Sequence, residues 1–192
     1  MEKSNQFMGE IKYIVNDQIK IFVIKALQAT PDYFFTIPSS STGKYHPNFA
    51  LGEGGLVRHT RACARIAIEL FRLEMFNHFT QNEKDIILAS LILHDTYKKG
   101  NPEKEHTIVD HPIFAKNVLL GNKEINNLLS KETMNLIVEN IARHMGQWNT
   151  DYKTGNVVLE KPTTKMQNFV HMVDYLASRK CLEMNFDVEL SK

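Results

Sequence analysis

Two residues able to bind a metal or move a proton, His94 and Asp95, stand side by side after the apolar residues Ile86, Ile87, Leu88, Leu91, Ile92 and Leu93. Those residues fall on every side of a 3.6-residue period, which predicts a helix buried nearly all round. An imidazole and a carboxylate are costly to bury there unless something pairs with them. Candidate partners recur in helical phase elsewhere. His59 falls on the stripe Leu56, Cys63, Ile66, Leu70 and Leu73, and His144 extends the stripe Met134, Ile137, Val138 and Ile141. Asp174 follows Val170 by one helical turn, within the set Met166, Phe169, Val170, Val173 and Ala177. His111 opens a further helix just before Pro112. A single inward histidine is more often a hydrogen-bonded core residue than a ligand. Several in one small domain share one solution, a buried metal centre. Histidine with carboxylate suits Zn, Mn, Fe, Co or Ni. Periodicity points to that centre and names no reaction.

The elements that must position these groups read as an all-α domain. Ile11, Ile14, Val15, Ile19, Phe22, Val23 and Leu27 predict a helix over about 10–28, ended by Pro31. The stretch TIPSSSTGKYHPNFALGEGG (36–55) predicts an extended loop, followed by an amphipathic helix over about 56–76. On that helix Arg58, Arg61, Arg65, Glu69 and Arg72 share the face opposite His59, with Arg61 and Arg65 read as solvated. Thr80 with Glu83 makes a capping-box pattern that starts the buried helix. Further helices are expected over about 110–120, 131–145 and 163–185, with a loop or small hairpin over 146–162.

The 192 residues suffice for one well-buried domain, and 43% hydrophobic with 23% charged residues is ordinary for a globular protein. A net charge of +1 argues against non-specific gripping of a duplex and says little about nucleotides or short strands. No apolar run is long enough for a membrane span, and the N-terminus lacks a signal-peptide pattern. Cys63 and Cys181 form neither a disulfide framework nor a CxxC site, and a reducing cytoplasm is the expected location.

The order His59, His94-Asp95, Asp174 resembles the H…HD…D signature of the HD-domain metal-dependent phosphohydrolases. GGLVRHT is similar to the segment around that family's first histidine, LHDTYKKG to its HDxxK form, and DHPIFA to its HPxxG/A segment. ARHMG and VDYLASR resemble the last two stations, so the likeness spans about residues 40–182. With His111 and His144 included, the pattern resembles the dinuclear branch. KYHPNFALGEGGLVRHT is most similar to the HD domain of bacterial 3′–5′ exoribonucleases. Two departures stand out: no GYP motif follows, and no OB-fold-like module precedes. Neither cyclic-dinucleotide chemistry nor processive RNA degradation is therefore implied.

The resemblance implies a helical HD domain in which His59, His94, Asp95 and Asp174 hold one divalent transition metal. Asp95 would bridge to a second metal held by His111 and His144, with His106 the substitute should either histidine be misassigned. Such a pair gives a nucleophile from water at neutral pH, and Lys98 would add a cation beside the phosphoryl group. Lys98 could equally be a solvated lysine ending a helix. Lys44 and His46 are candidate substrate contacts by the same resemblance. Trp148 and Tyr152 could stack a base or simply anchor the 146–162 excursion. The expected function is a phosphodiesterase acting on a phosphorylated small molecule, a nucleotide or a short single strand. A phosphomonoesterase using the same metals, a non-catalytic nucleotide-binding module and a purely structural metal domain are the alternatives.

Overall fold

In the computed structural model, which describes residues 2–40, 42–182 and 184–188, the chain folds as an all-α domain. Its helices are α1 (Met8–Ile11), α2 (Asp17–Ala29), α3 (Gly55–Leu70) and α4 (Gln81–Leu93). They continue as α5 (His111–Gly121), α6 (Lys123–Asn126), α7 (Lys131–Ala142) and α8 (Lys165–Ala177), with short 3-10 turns between. Helix α4 is the central rod, packed against α2, α3, α7 and α8, and α5 packs on α7. Every residue from Asp85 to Leu93 is buried, as the all-round apolar pattern requires. Its start is the capping box of Thr80 and Glu83, and α8 begins with a second box, Thr164 and Gln167. None of these helices is long and apolar enough to cross a membrane.

The structure corrects three expected spans. The helix expected over 10–28 is broken at 12–16, because polar groups there bind each other instead of continuing a helix. The buried Asp85 carboxylate accepts the N–H groups of Val15 and Asn16 at 3.1 and 2.7 Å. Asn16 in turn caps α2 by accepting from Gln18 and Ile19. The helix expected over 56–76 ends at Leu70, where Phe71 turns to stack on Phe169 of α8 at 5.1 Å. Leu73 is left 47% exposed, outside the stripe assigned to it. The last helix stops at Ala177, where Ser178 N–H donates back to Asp174 and Tyr175. Ser41 of the polar loop and position 183 of that expected helix lie outside the described residues.

The solvated face expected on α3 is wrong for Arg61 and Arg65. Glu10 of α1 is fully buried, and its two carboxylate oxygens accept Arg61 Nε at 3.1 Å and Arg65 Nε at 2.7 Å. Phe186 lies against both guanidinium groups at 5.0 and 4.9 Å. This pairing ties the N-terminal helix to the back of α3, whose other side carries His59.

The loop before α3 is held down at Gly55, where a Cβ would lie 2.3 Å from the Ala50 carbonyl oxygen. That close approach lets Leu56 N–H donate to Ile37 O and Gly54 N–H to Thr36 O. The segment carrying His46 is thereby folded back over the start of α3. The 146–162 excursion is the expected small turn, closed by one antiparallel bridge between Thr150 and Val157.

Candidate metal centre

Six residues from five parts of the chain meet at the end of α4. His94 caps that helix, with Asp95 beside it. His59 comes from α3, His111 from the first position of α5, His144 from just beyond α7, and Asp174 from α8. The four histidines and Asp95 are each no more than 2% exposed. The structure thus brings together all six residues expected as metal ligands.

Three of these rings are oriented in the same way. His94, His111 and His144 each place Nδ1 2.7–2.8 Å from a backbone carbonyl three residues earlier. A carbonyl only accepts, so Nδ1 carries a proton and Nε2 is the ring atom turned to the centre. Those Nε2 atoms face carboxylate oxygens. Asp95 Oδ1 lies 3.0 Å from His111 Nε2 and 3.7 Å from His144 Nε2, while Oδ2 lies 3.6 Å from His94 Nε2 and 2.6 Å from Lys98 Nζ. Asp174 Oδ1 lies 3.0 Å from His59 Nε2 and 3.6 Å from His94 Nε2.

His46 Nδ1, His59 Nδ1, His94 Nε2 and Asp95 Oδ1 are buried with no hydrogen-bond partner among the described residues. Converging ring nitrogens and carboxylates call for positive charge, which Lys98 supplies in part. Two overlapping groups have ligand atoms all within 4.8 Å of one another: His59, Cys63, His94 and Asp174, and His94, Asp95 and His144. These groups could hold a metal ion. With bonds of about 2.0–2.3 Å, ligand atoms around a tetrahedral zinc would lie roughly 3.3–3.8 Å apart. The observed separations overlap that range.

Electrostatics agree with that demand. Burial pushes the Asp95 carboxyl up, but Lys98, His94 and His111 outweigh it and hold it well below the usual carboxylate range. Asp174 is treated likewise by His59 and His94, so both carboxylates are ionised at neutral pH. Burial opposes a charge on His94, yet Asp95 and Asp174 more than compensate and raise its pKa. A proton there would do in part what a metal ion does more fully. Burial and the neighbouring His94 push His144 down to about 3, which keeps its ring neutral.

Cys63 was missed. It lies one helical turn after His59, is fully buried, and its Sγ is 3.7 Å from His59 Nε2. Its i, i+4 spacing from His59 is plain in the sequence, but disulfide and CxxC patterns do not test for it.

Above the cluster opens a cavity of about 510 Å³. His59, Asp95, His144 and Asp174 line its floor, and Lys98 is also part of its lining. Tyr45, Trp148 and Tyr175, which are 37–54% exposed, line its mouth with Arg179. His46 and Trp148 are therefore beside the centre, as expected. Lys44 and Tyr152 are not. Lys44 is exposed with its ammonium over the Tyr45 ring at 5.0 Å. Tyr152 is 97% exposed in the turn beyond the Thr150–Val157 bridge, where Asp151 accepts the N–H groups of Lys153 and Thr154. His106, the substitute ligand, has its side chain 82% exposed beside Glu105. His171 donates from Nδ1 to the His144 carbonyl at 2.8 Å and so braces the backbone of a cluster residue.

The His46 ring packs edge-on to His59 at 5.6 Å. Burial, reinforced by the neighbouring His59 and Lys98, lowers its pKa from 6.5 to about 4. Between those values the unfolded chain holds a proton on His46 that the folded chain does not, so this residue's contribution to stability is lost as pH falls. His46→Gln is expected to shrink the drop in Tm between about pH 7 and about pH 4.5. Thermal melts at both pH values check this, and an unchanged drop would contradict it.

A helical domain with a buried His/Asp cluster under an open cavity is the class this geometry defines. Comparison of the chain with protein-family models, curated proteins and solved structures returns no match.

Proposed function

We propose that the chain is an HD-type metal-dependent phosphohydrolase, and specifically a phosphodiesterase acting on a nucleotide or a short single-stranded oligonucleotide. One observation carries the proposal. The two oxygens of Asp95 face different donor sets, Oδ1 toward His111 and His144 and Oδ2 toward His94. That is the disposition a carboxylate shared between two cations requires, with His59 and Asp174 completing the His94 side. Divalent metals at such a pair supply a nucleophile from water at neutral pH and offset charge on a phosphoryl group.

The remaining work falls to the chain's own residues. Lys98, whose ammonium bonds Asp95 and also lines the cavity, is placed to attract a phosphoryl oxygen. His46, uncharged at neutral pH, can accept a hydrogen bond from a substrate hydroxyl or water. Trp148 offers a stacking surface for a base. Cys63 belongs to the group of His59, His94 and Asp174, but burial and the charges of Asp174 and Asp95 push its thiol well up. It becomes a soft donor, favouring zinc or iron over manganese, only when a bound cation displaces its proton.

The test compares bis(4-nitrophenyl) phosphate with 4-nitrophenyl phosphate after loading with zinc, iron or manganese. The diester is expected to be hydrolysed the faster, by about tenfold or more in kcat/KM. Faster monoester cleavage would transfer the proposal to the phosphomonoesterase reading. Absence of both activities with every metal would overturn it.

A further inference from the structure

Arg179 is the one cation at the cavity whose bonding capacity is largely unspent. A guanidinium has five N–H donors. Arg179 uses Nε for the Tyr175 carbonyl at 3.2 Å and one Nη2 hydrogen for Ser178 Oγ at 2.8 Å, leaving three. No carboxylate among the described residues pairs with it. Arg61 and Arg65 share Glu10, and Arg143 pairs with Glu139 and Glu160. Its plane is nonetheless fixed: the guanidinium carbon lies 4.2 Å from the Tyr175 ring centre and 5.7 Å from that of Tyr45. Beyond Tyr175, Trp148 stacks on the same ring at 5.5 Å and 10°.

An oriented cation with free donors, two aromatic rings against it and a place on the wall of the same cavity as Lys98 has the chemistry of an anion subsite. Lys98 is already bonded to Asp95 at the floor, so the two cations serve different positions of one ligand. The aromatic surface of Trp148 and Tyr175 adjoins Arg179 and suits a base better than another phosphate.

We infer that Arg179 binds a second phosphate, separated from the reacting one by a nucleoside whose base stacks on Trp148. The preferred substrate is then the phosphorylated end of a single-stranded nucleic acid at least two nucleotides long, rather than a lone nucleotide. This rests on the phosphohydrolase reading for what happens at the floor, but the binding it describes needs no turnover.

Trp148 is the only tryptophan in the chain, so its fluorescence reports on the cavity mouth directly. The full-length protein would be titrated with dinucleotides joined by an uncleavable methylphosphonate, with and without a terminal phosphate at the 5′ or 3′ end. Stacking should quench the emission, and one of the two terminal phosphates should tighten binding by about tenfold. Arg179→Gln should remove that gain. No quenching, no gain from either terminal phosphate, or a gain that survives in Arg179→Gln would each overturn the inference. Failure of the hydrolysis assay alone would instead strike the reading of the floor, so the two failures are distinguishable.

Discussion

Asp95→Ala is expected to lose stoichiometric metal and, with it, hydrolysis of bis(4-nitrophenyl) phosphate, a fall on the order of a thousandfold or more in kcat. The size follows from what one side chain does at this position. Asp95 is 2% exposed and offers oxygen to both sides of the cluster while balancing Lys98. Without it, His111 and His144 lose the one carboxylate that faces them among the described residues, and His94 keeps only Asp174. Asp95→Asn keeps the shape and removes the charge, so it serves as the control for folding. It should melt cooperatively and still fail in hydrolysis. Unchanged rates in both variants would sink the proposed chemistry.

The largest expected effect on stability lies far from the cavity. Glu10→Ala should cost about 3–5 kcal/mol, because it leaves Arg61 and Arg65 without the buried carboxylate that both bind. In a chain of this size that corresponds to a fall in Tm of roughly 6–20 °C. Urea unfolding of the wild-type and variant proteins measures it. A cost below about 1 kcal/mol would mean that water reaches the two guanidinium groups and replaces Glu10. Pairing across 51 and 55 residues of sequence is invisible to helical periodicity, which sees only that Arg61 and Arg65 lie opposite His59. The same blindness explains the broken first helix, since the group that breaks it is Asp85, some 70 residues away.

What could be read from the sequence was whatever is governed by local phase. His59, His144 and Asp174 continue apolar stripes and do face the centre, and the Thr80–Glu83 box starts α4 where expected. Loop residues have no such rule. Lys44 and His46 stand two positions apart in one loop, yet only His46 is folded under by the Gly55 contact. Trp148 and Tyr152 follow His144 in one excursion, yet Tyr152 lies past the bridge that closes it. Tyr175 lies off the buried stripe of α8 and Arg179 two residues past its end, so helical phase assigns neither to the centre. Cys63 shows a different failure. Its spacing was plain, but a cysteine weighed for pairing with another cysteine was not weighed as a neighbour of His59.

The proposed chemistry requires that the buried His/Asp cluster be a metal centre built around Asp95. The most direct measurement is elemental analysis of the full-length protein purified without chelator, alongside Asp95→Ala prepared identically. The expected result is about one to two transition ions per wild-type chain and far less in the variant. Wild-type protein that holds no transition metal, even after incubation with zinc, iron and manganese, would contradict it.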